Sequence, residues 1–176
     1  EPNKMRAESF CVFAPETGPI KQYMDDDLAN RIVRRYGQDD YNFITAPPGK
    51  TIWSEKAGRA RLAFLEPMIP KKLLKNVLEI GSGTTWFARE FCDKFNPKKY
   101  TCIDPTLKAD STDKIKAIMD YFPSEALMSD KFDLILAYNL LEHVPDPRVV
   151  LSSIKDLLSS SGRVVITVPD CEGQLN

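Results

Sequence analysis

The chain predicts an α/β domain: a doubly wound, mostly parallel sheet preceded by a helical extension. Three observations predict it. Short, almost purely apolar runs recur at Val77–Ile80, Tyr100–Ile103 and Phe132–Ala137, the last interrupted only by Asp133. Such runs suit strands buried on both faces. Helical patterns lie between strands, which implies parallel pairing through right-handed crossovers. A glycine turn, Gly81–Ser82–Gly83, directly follows the first run.

The elements follow in order. DDDLANRIVRRYG (Asp25 to Gly37) predicts a helix, with acids at its start, Arg34 and Arg35 near its end and Gly37 as its stop. Leu28, Ile32 and Arg35 or Tyr36 would share a face. The acidic triplet is a cap and dipole partner in this reading, not a metal site. ITAPPGKT breaks the chain. A second helix is predicted from Ile52 to Met68. Ala57, Leu62 or Ala63, and Leu65 or Glu66 would turn inward, with Pro67 and Pro70 closing it.

After residue 70 strands and helices alternate. Val77–Ile80 is the first strand. Thr85–Lys94 is a helix that puts Phe87, Phe91 and Phe95 on one face. Tyr100–Ile103 is the second strand. A third is expected at Ala117–Asp120, then a brief helix at Ser124–Leu127. Phe132–Ala137 is the fourth strand. Pro147–Ser159 is a helix with a stripe of Val150, Ile154, Leu157 and Leu158. A turn at Gly162 leads into a fifth strand, Arg163–Val168. The chain therefore divides into an N-terminal helical cap or lid, 1–70, and a ligand-binding domain, 71–176. Tyr41, Phe43 and Trp53 are lid candidates, with plain core packing the competing role.

Composition narrows the function classes. At 176 residues with 43% apolar residues, the chain can build one real core. Lys and Arg number 24 against 25 acids, so there is no electrostatic case for a nucleic-acid partner. No apolar run approaches the ~20 residues of a membrane helix. The N-terminus has neither a signal-peptide core nor an initiator Met. Cys11, Cys92, Cys102 and Cys171 lack zinc spacing, and a cytoplasmic protein with idle thiols is the simplest reading.

In a doubly wound sheet, ligands bind beyond the carboxyl ends of the strands. Gly81 and Gly83 allow a tight turn and close ligand approach there. The following helix offers free amides to a carboxylate or phosphate. A dinucleotide fingerprint needs a small third residue, but GSGTTW puts Trp86 in that place, which disfavours NAD. Glu79, just before the turn, suits a cationic ligand. The ammonium and sulfonium of S-adenosylmethionine supply one. Asp104 closes the second strand, before Pro105, and can accept from a ribose diol. Asp120 could accept from an adenine amino group, with Met119, Tyr121 and Phe122 as apolar contacts. Asn139 to His143 follow the fourth strand. His143 is the only histidine and hence the only imidazole base available; a structural role competes with catalysis for it and for Glu142.

EIGSGTTWFA, CIDPT, FDLILAYNLLEHVPDP and SGRVVITVP together resemble the class I S-adenosylmethionine-dependent methyltransferases, a Rossmann-like family, over residues 73 to 170. The resemblance implies that Glu79, Gly81 and Gly83 serve the cofactor's methionine end, Asp104 the ribose and Asp120 the adenine. Ser82, Pro105 and Tyr121 beside them are further cofactor-binding candidates. Asn139, Leu140, Glu142 and His143 match the motif lining the site. The family sheet has seven strands, so the last two are expected to lie beyond Asn176, with part of the acceptor site.

DYFPSEAL, LEHVPD and VITVPD are similar to methyltransferases acting on sugar nucleotides or glycan precursors, although the cysteine zinc motif that often precedes those is absent. The expected function is in-line methyl transfer to a small-molecule acceptor, with His143 as the candidate base. Two alternatives stand beside it: a cofactor-binding domain without turnover, and a nicotinamide-dependent oxidoreductase.

Overall fold

The computed structural model describes residues 11–12, 21–22, 27, 30, 31, 34, 52–69, 74–108 and 111–169. Two short strands, β1 (Cys11–Val12) and β2 (Lys21–Gln22), pair antiparallel. Asp27, Asn30, Arg31 and Arg34 are helical, as the sequence predicts, and Arg31 Nε lies 3.2 Å from Asp27 Oδ2 one turn away. The remaining face residues of that helix, and Tyr41 and Phe43, lie outside the described residues.

The main sheet holds five strands in the order β5-β4-β3-β6-β7. They are β3 (Asn76–Ile80), β4 (Lys99–Ile103), β5 (Ile115–Ile118), β6 (Phe132–Tyr138) and β7 (Leu158–Thr167). Every pairing is parallel. The chain is an α/β protein with a doubly wound, Rossmann-like sheet. Order reverses at β3: the chain runs out to β4 and β5, then returns to β6 and β7. The crevice between β3 and β6 is the topological switch point, where such sheets take ligands.

Helices cover both faces. On one face α1 (Ile52–Leu65) and α2 (Trp86–Phe95) pack over Val77, Tyr100, Cys102, Leu134, Leu136 and Tyr138. On the other, α3 (Pro147–Leu157) and the 3-10 turn Glu125–Leu127 cover Leu78, Ile80, Ile103 and Ile135. The alternation of side chains along each strand divides these two cores. The phenylalanine ladder is present, with ring centroids 6.2 Å apart for Phe87–Phe91 and 4.6 Å for Phe91–Phe95.

Asp133, the one charge in the fourth apolar run, has a structural use. Its Oδ2 accepts from the N–H groups of Lys75 (3.0 Å) and Asn76 (2.9 Å), and its Oδ1 from Ser159 Oγ (3.2 Å). One carboxylate thus ties the amino ends of β3, β6 and β7.

Four element boundaries differ from expectation by two residues or more. The third strand lies at Ile115–Ile118 and not at Ala117–Asp120, because buried Ile115 pairs with Tyr100 and Asp104 N–H closes the ladder on the Ile118 carbonyl. Helix α3 stops at Leu157, so Leu158 belongs to β7, where it pairs with Phe132. Strand β7 starts there and not at Arg163; the expected turn at Gly162 is an irregularity inside it, between the Phe132 and Leu134 pairings. Helix α1 ends at Leu65 and tightens into a 3-10 turn, Glu66–Met68. Among its described side chains Leu62 and Leu65 turn inward and Ala63 is exposed, while exposed Glu66 pairs with Lys94 at 2.8 Å; the side chains of Trp53 and Ala57 lie outside the described residues.

Helix α1 is keyed to α2 by one contact. A Cβ on Gly58 would lie 2.1 Å from Trp86 Cζ3, so the indole occupies the space that a side chain would need. Trp86, too large for a dinucleotide fingerprint, is thereby used to seat α1 on the start of α2.

Candidate functional site

The glycine turn leaves β3 sharply. Gly81 has φ +73° and Gly83 φ +62°, a left-handed conformation costly to residues with a Cβ. Gly81 N–H donates to the Ile103 carbonyl (2.9 Å), which holds the turn against the end of β4. Trp86 N–H is taken by Thr84 Oγ1 at 3.3 Å, so α2 starts with one amide already occupied.

Asp104 stands at the end of β4, as expected, with its carboxylate turned to that same turn. Oδ2 accepts from Gly83 N–H at 2.8 Å; Oδ1 accepts from Thr106 N–H (2.8 Å) and Thr106 Oγ1 (2.6 Å). A carboxylate offers about four acceptor positions, so capacity for a ligand hydroxyl remains. Pro105 lies in the half-buried turn that Leu107 N–H closes on the Asp104 carbonyl.

Across the crevice, Asn139 follows β6 with φ +48°. Its N–H donates to the Thr167 carbonyl (2.9 Å), and its Oδ1 accepts from Thr167 Oγ1 (3.3 Å), which joins the rim to β7. Leu140 faces the glycine turn: its Cδ1 is 3.2 Å from where a Gly81 Cβ would be. Glycine turn, Asp104, Asn139 and Leu140 are therefore brought together at the switch point.

Asp120 lies two residues past β5 rather than at its end. Its carboxylate accepts from Tyr121 N–H (2.8 Å) and Ser124 Oγ (2.6 Å), and Ser124 in turn caps the 3-10 turn through Ala126 N–H. Met119 and Tyr121 beside it are exposed. His143 ends the 3-10 turn Leu141–His143, with Nε2 3.8 Å from Glu142 Oε1. Partial burial lowers its pKa from the ordinary histidine value, against the opposing pull of Glu142.

Glu79 is placed differently from the rest. It is 3% exposed and turned into the α1–α2 core. Its Oε2 accepts from Tyr100 Oη at 3.0 Å, with Cys102 Sγ 4.0 Å away. Burial pushes its carboxyl up to about 8, despite the Tyr100 hydrogen bond and the charge of Arg61. Arg61, from α1, sits 4.6 Å over the ring of Tyr138, whose Oη is buried without a hydrogen-bond partner among the described residues.

Sequence reasoning missed Tyr100, Tyr138 and Arg61 around Glu79. Two of them had a signal. Glu79 pairs with Cys102 and Leu136, so the period of two puts Tyr100 and Tyr138 on its face. Arg61 had none, because only the docking of α1 brings it there.

These features fit an amino-acid-bearing nucleoside. Its sugar would meet Asp104 and its cationic end the glycine turn that follows Glu79. A sequence model described as a methyltransferase domain matches residues 53–175. The chain belongs to this methyltransferase domain family. No curated protein matches it by sequence. Among solved structures it is similar to the plantazolicin methyltransferase BpumL in complex with SAH: TM-score 0.54, 16% identity, 81% of this chain and 53% of that one. The StiE O-MT matches with TM-score 0.54 and 15% identity over 68% of this chain and 48% of that one. The [4+2]-cyclase SpnF matches with TM-score 0.53 and 17% identity over 68% and 47%. At these identities the likeness establishes the fold. The chain spans about half the length of these solved chains. Among the described residues no helix is long and apolar enough to cross a membrane.

Proposed function

We propose that this methyltransferase domain binds S-adenosylmethionine and directs its methyl group to a small-molecule acceptor. The observation that carries the reading is the convergence of Gly81, Gly83, Asp104 and Leu140 at the β3–β6 crevice. SAH in the BpumL structure supports the choice of cofactor. Trp86, packed on Gly58, stands where a dinucleotide site needs a small residue, which argues against NAD.

When bound, S-adenosylmethionine supplies a methyl group on a sulfonium, which an acceptor nucleophile displaces in line. Asp104 would hold the ribose and orient the nucleoside. Asp120 and Tyr121 flank the position proposed for the adenine. Asn139 and Leu140 form the opposite wall. Such alignment can supply about 7–11 kcal/mol of the barrier. His143, whose pKa partial burial lowers, is the proposed base; positioned proton transfer adds about 10²–10⁴-fold. The segment before residue 70 is proposed as the cap, and the acceptor as a sugar nucleotide or glycan precursor, on the sequence motifs alone. A cytoplasmic location is proposed on the cysteines, which lack zinc spacing and read as idle thiols.

A second reading, a cofactor-binding domain that transfers no methyl group, has a specific support: the likeness to SpnF, a cyclase, means that this fold does not fix the reaction. Calorimetry with S-adenosylhomocysteine, alongside fluorescence titration with NADH, tests the cofactor. Transfer of labelled methyl to a panel of sugar nucleotides tests the reaction. Binding of the first ligand and labelled product support the proposal. Binding without turnover on any acceptor favours the second reading, and NADH binding alone would overturn both.

A further inference from the structure

Glu79 is the acid of the glycine segment, yet its carboxyl is buried among protein groups. From β4 it receives the Tyr100 hydroxyl and faces the Cys102 thiol. From the loop after β4, Asp104 adds a like charge. From α1, Arg61 acts on it through space, while its guanidinium lies over Tyr138 of β6. Tyr138 presents a buried hydroxyl with no partner among the described residues. Among the described residues, one hydrogen-bond donor and one shared cation are thin support for a charge at this depth.

We propose that Glu79 is a carboxylic acid in the ligand-free protein and releases its proton when the cationic amino-acid end of the nucleoside settles on the glycine turn. This deepens the cofactor reading above and rests on it. The Oε–H bond of Glu79 breaks, the proton passes to solvent, and the carboxylate left behind offsets the charge of the arriving ammonium. No electrons move. The direction follows from elementary electrostatics. Burial holds the carboxyl at about 8, so it is protonated at pH 7. An opposite charge arriving within a few ångströms favours the ionised form. Cofactor binding is then linked to pH through a residue that the ligand need not touch.

The test is calorimetry of S-adenosylhomocysteine binding at pH 7 in phosphate and in Tris, which differ in ionisation enthalpy. The wild-type protein should show an enthalpy difference equal to close to one proton released per site. Affinity should rise with pH up to about 8, by as much as tenfold per unit. 5′-Methylthioadenosine, which lacks the amino-acid end, should bind with no buffer dependence. Glu79→Gln should bind S-adenosylhomocysteine with no proton released. Should that variant fail to fold, Tyr100→Phe removes the donor that favours the charged form and should move the pH window upward. Equal enthalpies in both buffers, with binding intact, would overturn the proton release and leave the cofactor reading standing. No binding in any buffer would overturn the cofactor reading and this one with it.

Discussion

The backbone N–H of Gly83 donates to Asp104 Oδ2 at 2.8 Å, joining the glycine turn after β3 to the acid that ends β4. The residue proposed to hold the ribose therefore also shapes the loop against which the nucleoside is proposed to lie.

Asp104→Ala should accordingly lose two things at once. Affinity for S-adenosylhomocysteine should fall well over tenfold, and the thermal midpoint should drop as Gly83 and Thr106 lose their acceptor. A charge-assisted hydrogen bond of this kind is worth about 1.5–3 kcal/mol. Calorimetry and a melting curve on the same sample check both; undiminished affinity would remove Asp104 from the cofactor site.

Gly58→Ala should destabilise the domain by about 1–3 kcal/mol, because the new methyl meets the Trp86 indole. The same change made with Trp86→Ala should cost much less. A denaturant double-mutant cycle measures the difference, and equal costs in both backgrounds would mean that α1 is not seated by this contact.

Asp133→Ala should lower stability by about 1–3 kcal/mol, since Lys75, Asn76 and Ser159 all lose an acceptor. Cofactor affinity should not change, because Asp133 is at the amino end of the sheet. Urea unfolding with parallel calorimetry separates the two, and a loss of affinity without a loss of stability would contradict the assignment.

Stability should fall as pH rises from about 4.5 to about 8. Over that window Glu79 keeps its proton in the folded chain and loses it in the unfolded one. The folded state then binds more protons, so the unfolding free energy declines with pH, and the decline ends above the folded value. Glu79→Gln should flatten that part of the profile. A denaturation series across these pH values reads it directly, and a slope unchanged in Glu79→Gln would place the titrating group elsewhere.

Much of the fold was legible because periodicity survives in the sequence. Val77–Ile80 and Phe132–Ala137 could hardly be anything but buried strands, and Phe87, Phe91 and Phe95 declared their helical face. The third strand was misplaced by two residues because IKAIMD contains no breaker; only the Ile115–Tyr100 pairing fixes the register. Leu158 fitted a helical stripe as well as a strand, and pairing with Phe132 decided between them. In the site, the glycine turn and Asp104 were visible as motifs. The destination of Glu79 was not, since a strand's two faces look alike until helices cover one of them. Arg61 lay beyond any local pattern, because α1 must dock before it matters.

Asp133 also bears on how this scaffold could change. By clamping three strands at the base, it lets integrity be maintained far from the rim proposed for the chemistry. Loops at the rim can then be lengthened, swapped or redesigned for new acceptors without loosening the foundation beneath them.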